Sequence, residues 1–155
     1  MAPCELVNVA PGYPRYEELV GQIRTDPALL AAMWSDAEHR LIEHPRKVWS
    51  IATVREGGRW VPAAWACAVV DGNVLRCCDN YERPGYRDRG LYEAAYRHRH
   101  TTIVAPYPLA AITYLFAQPI GLHMADGWYH TGVRGVSTEA GVEHQWWKLR
   151  RDPTA

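Results

Sequence analysis

The alternation of apolar and polar positions divides this 155-residue chain into a helical beginning, a middle of strands and a mixed end. The first 45 residues read as helical. Tyr16 to Ile23 sets Leu19, Val20 and Ile23 on one side, which predicts a short amphipathic helix. Thr25-Asp26-Pro27 then reads as a helix start, with Asp26 as N-cap and Pro27 as the first helical residue. Leu29, Leu30, Met33, Trp34, Ala37 and Leu41 follow at helical spacing, and Pro45 stops the run. From Val48 the period is that of strands. Val48 to Glu56, Trp60 to Val70 and Asn73 to Tyr81 are β-rich, and Gly57-Gly58 and Asp71-Gly72 separate them. Both dipeptides are hairpin signals, so the middle reads as an antiparallel meander, with Pro62 marking an irregular start to its second strand. A helix over Gly90 to His100, a short strand over Thr101 to Ala105, a helix over Leu109 to Gln118 and strands over Trp128 to Val136 and Val142 to Arg150 complete the order.

Composition adds exclusions. Lys plus Arg and Asp plus Glu are 17 each, so no basic excess draws the chain to nucleic acid or to an anionic membrane. An anion site must therefore be local. An apolar share of 48% and a length of 155 residues suit one domain spanning 1–155. The start shows no signal-peptide pattern, and the apolar runs are too short to cross a bilayer, so the expected location is the cytoplasm. Cys4, Cys67, Cys77 and Cys78 read as reduced thiols; adjacent Cys77 and Cys78 point to opposite strand faces and cannot share a metal. The seven histidines include no pair at the helical spacing of a zinc motif, so no metal is expected. His98 and His100, with Arg97 and Arg99, read as a solvated cationic helix end.

One segment carries chemistry. Around Pro84 to His100 a turn with Arg87, Asp88, Arg89 and Gly90 leads into a helix that begins with Leu91 and Tyr92. A helix start presents unpaired N–H groups and partial positive charge, glycine has no Cβ to hold an anion away, and guanidinium groups bind phosphate oxygens. This arrangement suits a pyrophosphate.

Arg87, Gly90 and Tyr92 fall on the three marked places of the signature of the GNAT acyltransferases, in which Arg or Gln, two residues, Gly, one residue and Gly or Ala open a helix after the fourth strand. Ala110, Tyr114 and the later Gly127-Trp128 pair resemble a second family pattern, with an insertion between, and the element order from about Pro14 to Arg151 is similar to the GNAT fold. The resemblance implies an α/β (α+β) architecture: a mixed, mostly antiparallel sheet of six to seven strands flanked by helices. It also implies acetyl-CoA or another acyl-CoA as co-substrate, bound by Glu82, Arg87, Asp88, Arg89, Gly90, Leu91 and Tyr92. The implied reaction is direct transfer of the acyl group to an amine, here of a small molecule. Glu82 stands where the family has an apolar residue whose backbone N–H polarises the thioester, and its carboxylate is either a base for the incoming ammonium or a solvated strand end. Asp79, the rival base, points to the other strand face. Tyr114 takes the role of acid toward the departing thiolate, since a phenol of pKa about 10 keeps its proton at neutral pH.

The segment departs from the signature at Tyr92, which is bulky where the family is small, and at Asp88, which adds negative charge. These two residues keep a second reading open, a catalytically silent GNAT-like binding protein. Trp34, Trp65, Trp128, Trp146 and Trp147, with His123 and His130, are candidates for an acceptor pocket or a homodimer seam.

Overall fold

The structure is a computed structural model that describes residues 4–37, 41, 43–71, 74–104, 111–114, 129–139 and 142–150. Helix α1 covers Tyr16–Arg24 and α2 covers Pro27–Ala37. The N-cap of α2 is the expected one: Asp26 Oδ1 accepts the Leu29 N–H at 3.1 Å, and Pro27 follows as the first helical residue. Strands β2 (Lys47–Glu56) and β3 (Arg59–Asp71) form a hairpin whose glycines, Gly57 and Gly58, both have positive φ, at 57° and 80°. A two-residue turn matched to the strand twist needs two such residues, which explains the Gly-Gly pair. Strand β4 (Val74–Glu82) pairs antiparallel with β3. The register of β2 against β3 slips between Ala52 and Thr53, next to Pro62, where the proline cannot donate to the ladder.

Four expectations fail. Helix α2 ends at Ala37, and Leu41, expected on its stripe, is not helical. The segment before α1 contains a strand, β1 (Cys4–Val9), paired antiparallel with the outer edge of β2. Thr101 to Val104 is not a strand; helix α3 (Leu91–Arg99) continues into a π-helical turn over His100–Val104. The hydroxyls of Thr101 and Thr102 bond back to the carbonyls of Arg97 and His98, which holds β-branched residues in helical backbone. Finally, Ala111–Tyr114 is strand β5 rather than part of a helix. The remainder of the expected helix, and the turn at Gly72, lie outside the described residues. Strands β6 (Tyr129–Glu139) and β7 (Val142–Arg150) follow.

The strands pair in the order β1-β2-β3-β4-β5-β7-β6. Among the described residues only β4 and β5 run parallel, so the sheet is mixed and mostly antiparallel. On one face Trp49, Ile51, Trp65 and Tyr81 pack against Leu19, Ile23 and Met33 of α1 and α2. On the other, Ala52, Ala63, Ala64 and Ala66 form a floor of small residues under Leu91, Tyr92 and Ala95. That floor lets α3 lie close to the sheet, which fixes where its N-terminus stands relative to β4. Among the described residues no helix is long and apolar enough to cross a membrane.

Candidate functional site

Strand β4 is irregular where the site begins. Trp65 and Cys67 of β3 pair with Tyr81 and Cys78, so β4 holds one residue more than β3 across this step, a β-bulge. Within it Asp79 takes a left-handed backbone, φ 49°, which a short polar side chain tolerates. Asp79 forms a buried ion pair with Lys47, whose Nζ also lies 3.9 Å from the Trp49 ring centroid. Burial alone would lower the Lys47 pKa; nearby Cys67 and Asp79 outweigh it and hold the ammonium above its ordinary value. The carboxylate of Asp79 is thus committed to Lys47, away from any solvent-borne substrate.

The next residue of the bulge is reached from α3. Arg99 Nη1 donates to Asn80 Oδ1 at 2.7 Å and to the Cys67 carbonyl at 3.1 Å. Arg99 is fully buried and its guanidinium carbon lies 5.2 Å from the Tyr96 ring centroid. The solvated cationic helix end is therefore corrected. Arg99 faces inward because it falls four residues after Ala95 and eight after Leu91, on the buried stripe of α3. That spacing was the signal for it. His100 stacks on Tyr96, with centroids 6.2 Å apart, and burial lowers the His98 pKa.

After Glu82 the chain turns through a pinned corner. Arg83 donates from its backbone to Ala63 at 3.0 Å and from Nη2 to Asp26 Oδ2 at 2.7 Å, tying the corner to the start of α2. A 3-10 turn, Pro84–Tyr86, follows. The Tyr86 hydroxyl donates to Glu56 Oε2 at 2.6 Å, and the Arg89 guanidinium lies 5.4 Å from the Tyr86 ring centroid. Burial, and then the Glu56 carboxylate, raise the Tyr86 pKa. Asp88 and Gly90 both have left-handed backbone, φ 67° and 72°, and both are exposed, as are Arg87 and Arg89. A Cβ built on Gly90 would meet nothing within 4 Å, so the space above the helix start is open to a ligand.

Leu91 and Tyr92 do not line that space with their side chains; both are buried on the alanine floor. The bulk of Tyr92 is thus directed away from the turn. Burial, as the largest cause, pushes its hydroxyl up to about 12. Its backbone N–H has a different partner: Glu82 Oε2 accepts it at 3.0 Å. Glu82 is therefore neither a solvated strand end nor a carboxylate aimed only at the gap beside β4. It occupies the second N–H of α3.

Beside β4 the sheet opens. Among the described residues, the parallel pairing with β5 covers Leu75↔Ala111 and Arg76↔Ile112, whereas β4 runs on to Glu82. On its other edge β5 pairs with β7 along its whole length, Thr113 and Tyr114 meeting Trp147 and Trp146. Among the described residues, β4 from Cys77 to Glu82 has no pairing with β5, so the two strands part beyond Arg76 and leave a gap there. Tyr114 ends β5, on the far side of that gap by strand order, and its side chain lies outside the described residues, as do those of His130, Trp146 and Trp147. His123 and Trp128 are outside the described residues altogether. Trp65 is core, with its ring 5.7 Å from Tyr81; Trp34 is exposed on α2.

Neither a protein-family profile nor any curated protein matches the sequence. Solved structures do match by fold. The Arabidopsis thaliana NAA60 structure in complex with acetyl-CoA aligns over 95% of this chain and 97% of its own, at 11% identity and a TM-score of 0.58. An acetyltransferase of the GNAT family from Staphylococcus aureus Mu50 aligns over 94% and 98%, at 8% identity and TM-score 0.55. The ribosomal-protein-S18-alanine N-acetyltransferase of Escherichia coli aligns over 95% and 92%, at 12% identity and TM-score 0.54. The chain has the GNAT fold.

Proposed function

We propose that this chain is a single-domain, acyl-CoA-dependent N-acyltransferase that moves an acyl group, acetyl foremost, to the amine of a small molecule. The observation that carries this reading is that, among the described residues, β4 and β5 part beyond Arg76, while β4 runs on to Glu82 and the chain then turns to the open helix start at Gly90. In this reading the thioester arm lies along the edge of β4 beyond Arg76. Its pyrophosphate would meet Gly90 and Leu91 at the start of α3, and Arg87 and Arg89 from the exposed turn.

In the proposed reaction the amine nitrogen attacks the thioester carbonyl carbon. A backbone N–H of β4 stabilises the oxyanion, the carbon–sulfur bond breaks, and the thiolate takes a proton from Tyr114; the proton that the attacking nitrogen gives up as the amide forms passes to solvent, and solvent returns one to the Tyr114 phenolate. The strand setting of Tyr114 replaces the helical one expected, and its place at the C-terminal end of β5, beside the gap, supports the role. The ammonium proton leaves to solvent before attack.

Titration calorimetry and thermal shift with acetyl-CoA and longer acyl-CoAs test binding; a thiol-release assay over an amine panel tests transfer. Binding with turnover that drops in Tyr114→Phe is expected. Absence of any stabilisation at about 1 mM acyl-CoA would remove the reading, since a ligand that binds the native state must raise stability with its concentration. The specific observation favouring the second reading, a silent binding protein, is the Glu82 carboxylate at the helix start; binding without thiol release from any amine would select it.

A further inference from the structure

We infer that Glu82 is a built-in competitor for the phosphate of the ligand, a carboxylate that sits on the anion site of α3 and sets how tightly phosphorylated ligands bind there. The inference rests on the acyl-CoA reading above and concerns the same helix start.

The geometry is direct. Helix α3 begins at Leu91, so its first N–H groups have no acceptor within the helix. Gly90, at the N-cap, offers no side chain to fill that need. A carboxylate from ten residues upstream does so: Glu82 Oε2 accepts the Tyr92 N–H at 3.0 Å. A side chain supplying its own anion to a helix start gains the dipole interaction that a phosphate would otherwise gain. One N–H cannot serve both fully, and two anions at one helix end repel each other.

Glu82 is half-buried, at the last position of β4, where the strand is anchored by its pairing with Ala64 of β3. Its carboxylate is therefore held near the helix start by the sheet rather than by the helix. A phosphate arriving at Gly90 either displaces it from Tyr92 or binds one amide short. The exposed guanidinium groups of Arg87 and Arg89 supply positive charge beside the same site, so binding remains feasible and is weakened rather than abolished.

Two opposite effects of one substitution separate this role from plain helix capping. Glu82→Gln keeps the shape and removes the charge. It is expected to lower the melting temperature of the ligand-free protein by about 2 °C, as a charged cap is lost. It is expected to tighten CoA binding about fivefold in calorimetry, as the competing anion is lost. Pantetheine, which lacks phosphate, should bind both proteins equally, and Glu82→Ala should act in the same directions as Glu82→Gln. Inorganic pyrophosphate serves as a second probe and should gain affinity with CoA. CoA binding that is equal in the wild type and both variants, or weaker in the variants, overturns this inference and leaves the acyl-CoA reading standing. CoA and pyrophosphate that bind neither wild type nor variant overturn both.

Discussion

Arg99 of α3 donates to the side chain of Asn80 in the β4 bulge at 2.7 Å, so one guanidinium joins the helix to the irregular part of the strand beside the gap. The same Nη1 reaches the Cys67 carbonyl at 3.1 Å. A bulge disrupts the ladder locally, and a buried carbonyl without a partner is costly. Arg99→Met keeps the aliphatic packing and strips both hydrogen bonds, one of them to the buried Cys67 carbonyl. The expected loss is about 1–3 kcal/mol in urea denaturation. Adding Asn80→Ala to Arg99→Met should cost little more, because the two residues act as one unit. Full additivity of the two single substitutions would show that the contact contributes nothing.

The opposite side of the bulge carries the larger electrostatic commitment. The side chains of Lys47 and Asp79 are 2% and 0% exposed, so solvent screens neither charge. Lys47→Met leaves the Asp79 carboxylate buried without its cation and should destabilise the fold by about 3–5 kcal/mol. Lys47→Met with Asp79→Asn removes both charges and retains a residue that tolerates left-handed backbone. It should recover more than half of that loss in a double-mutant cycle. A double variant as unstable as Lys47→Met alone would mean that packing, not the uncompensated charge, sets the cost.

Much of this architecture is written in local chemistry, and what is not depends on partners distant in sequence. The cap at Asp26-Pro27 and the turn at Gly57-Gly58 are legible because each depends on residues within a few positions. Strands β1 and β5 were not: six and four residues hold little periodicity, and what makes them strands is the unpaired edge that β2, β4 and β7 offer. The segment Arg87 to Tyr92 was readable as a helix start that suits an anion. The carboxylate on its second N–H was not, because helix caps are sought next to the helix and Glu82 comes from the preceding strand. Arg99 was misread for a related reason. Arginine near a helix C-terminus suggests a solvated cation, and only its position on the stripe of Leu91 and Ala95 points inward.

Gly90 has two separable duties. Its φ of 72° is one that an L-residue adopts at a cost of about 1–2 kcal/mol, although a Cβ there would touch no protein atom within 4 Å. Gly90→Ala should therefore lower stability by about that amount through the backbone alone. The added methyl would also stand in the open space in front of the helix start, so CoA affinity should fall by more than the stability change accounts for. Calorimetry at a temperature where Gly90→Ala is fully folded separates the two effects. Unchanged affinity in the folded variant would show that the ligand does not approach this backbone.

Alkaline pH should unfold the protein through buried groups of the sheet and of α3. Burial raises the thiols of Cys67 and Cys77 above 9, and it pushes the Tyr92 hydroxyl up to about 12 from 10. In each case the folded state holds its proton more tightly than the unfolded chain does. Stability is then full below the unfolded pKa and is lost as pH rises toward the folded one. The decline should begin near pH 9 with the thiols and steepen between 10 and 12, with Tyr92 contributing about 2–3 kcal/mol across that span. Tyr92→Phe keeps the ring on Ala64 and Ala66 and removes the titrating group, so it should change stability by less than about 1 kcal/mol at pH 7 and flatten the profile above pH 10. Urea denaturation of both proteins from pH 8 to 11 checks this. Parallel profiles for wild type and Tyr92→Phe would show that the hydroxyl ionises as readily in the folded protein as in the unfolded one, and that the ring is not sealed under α3.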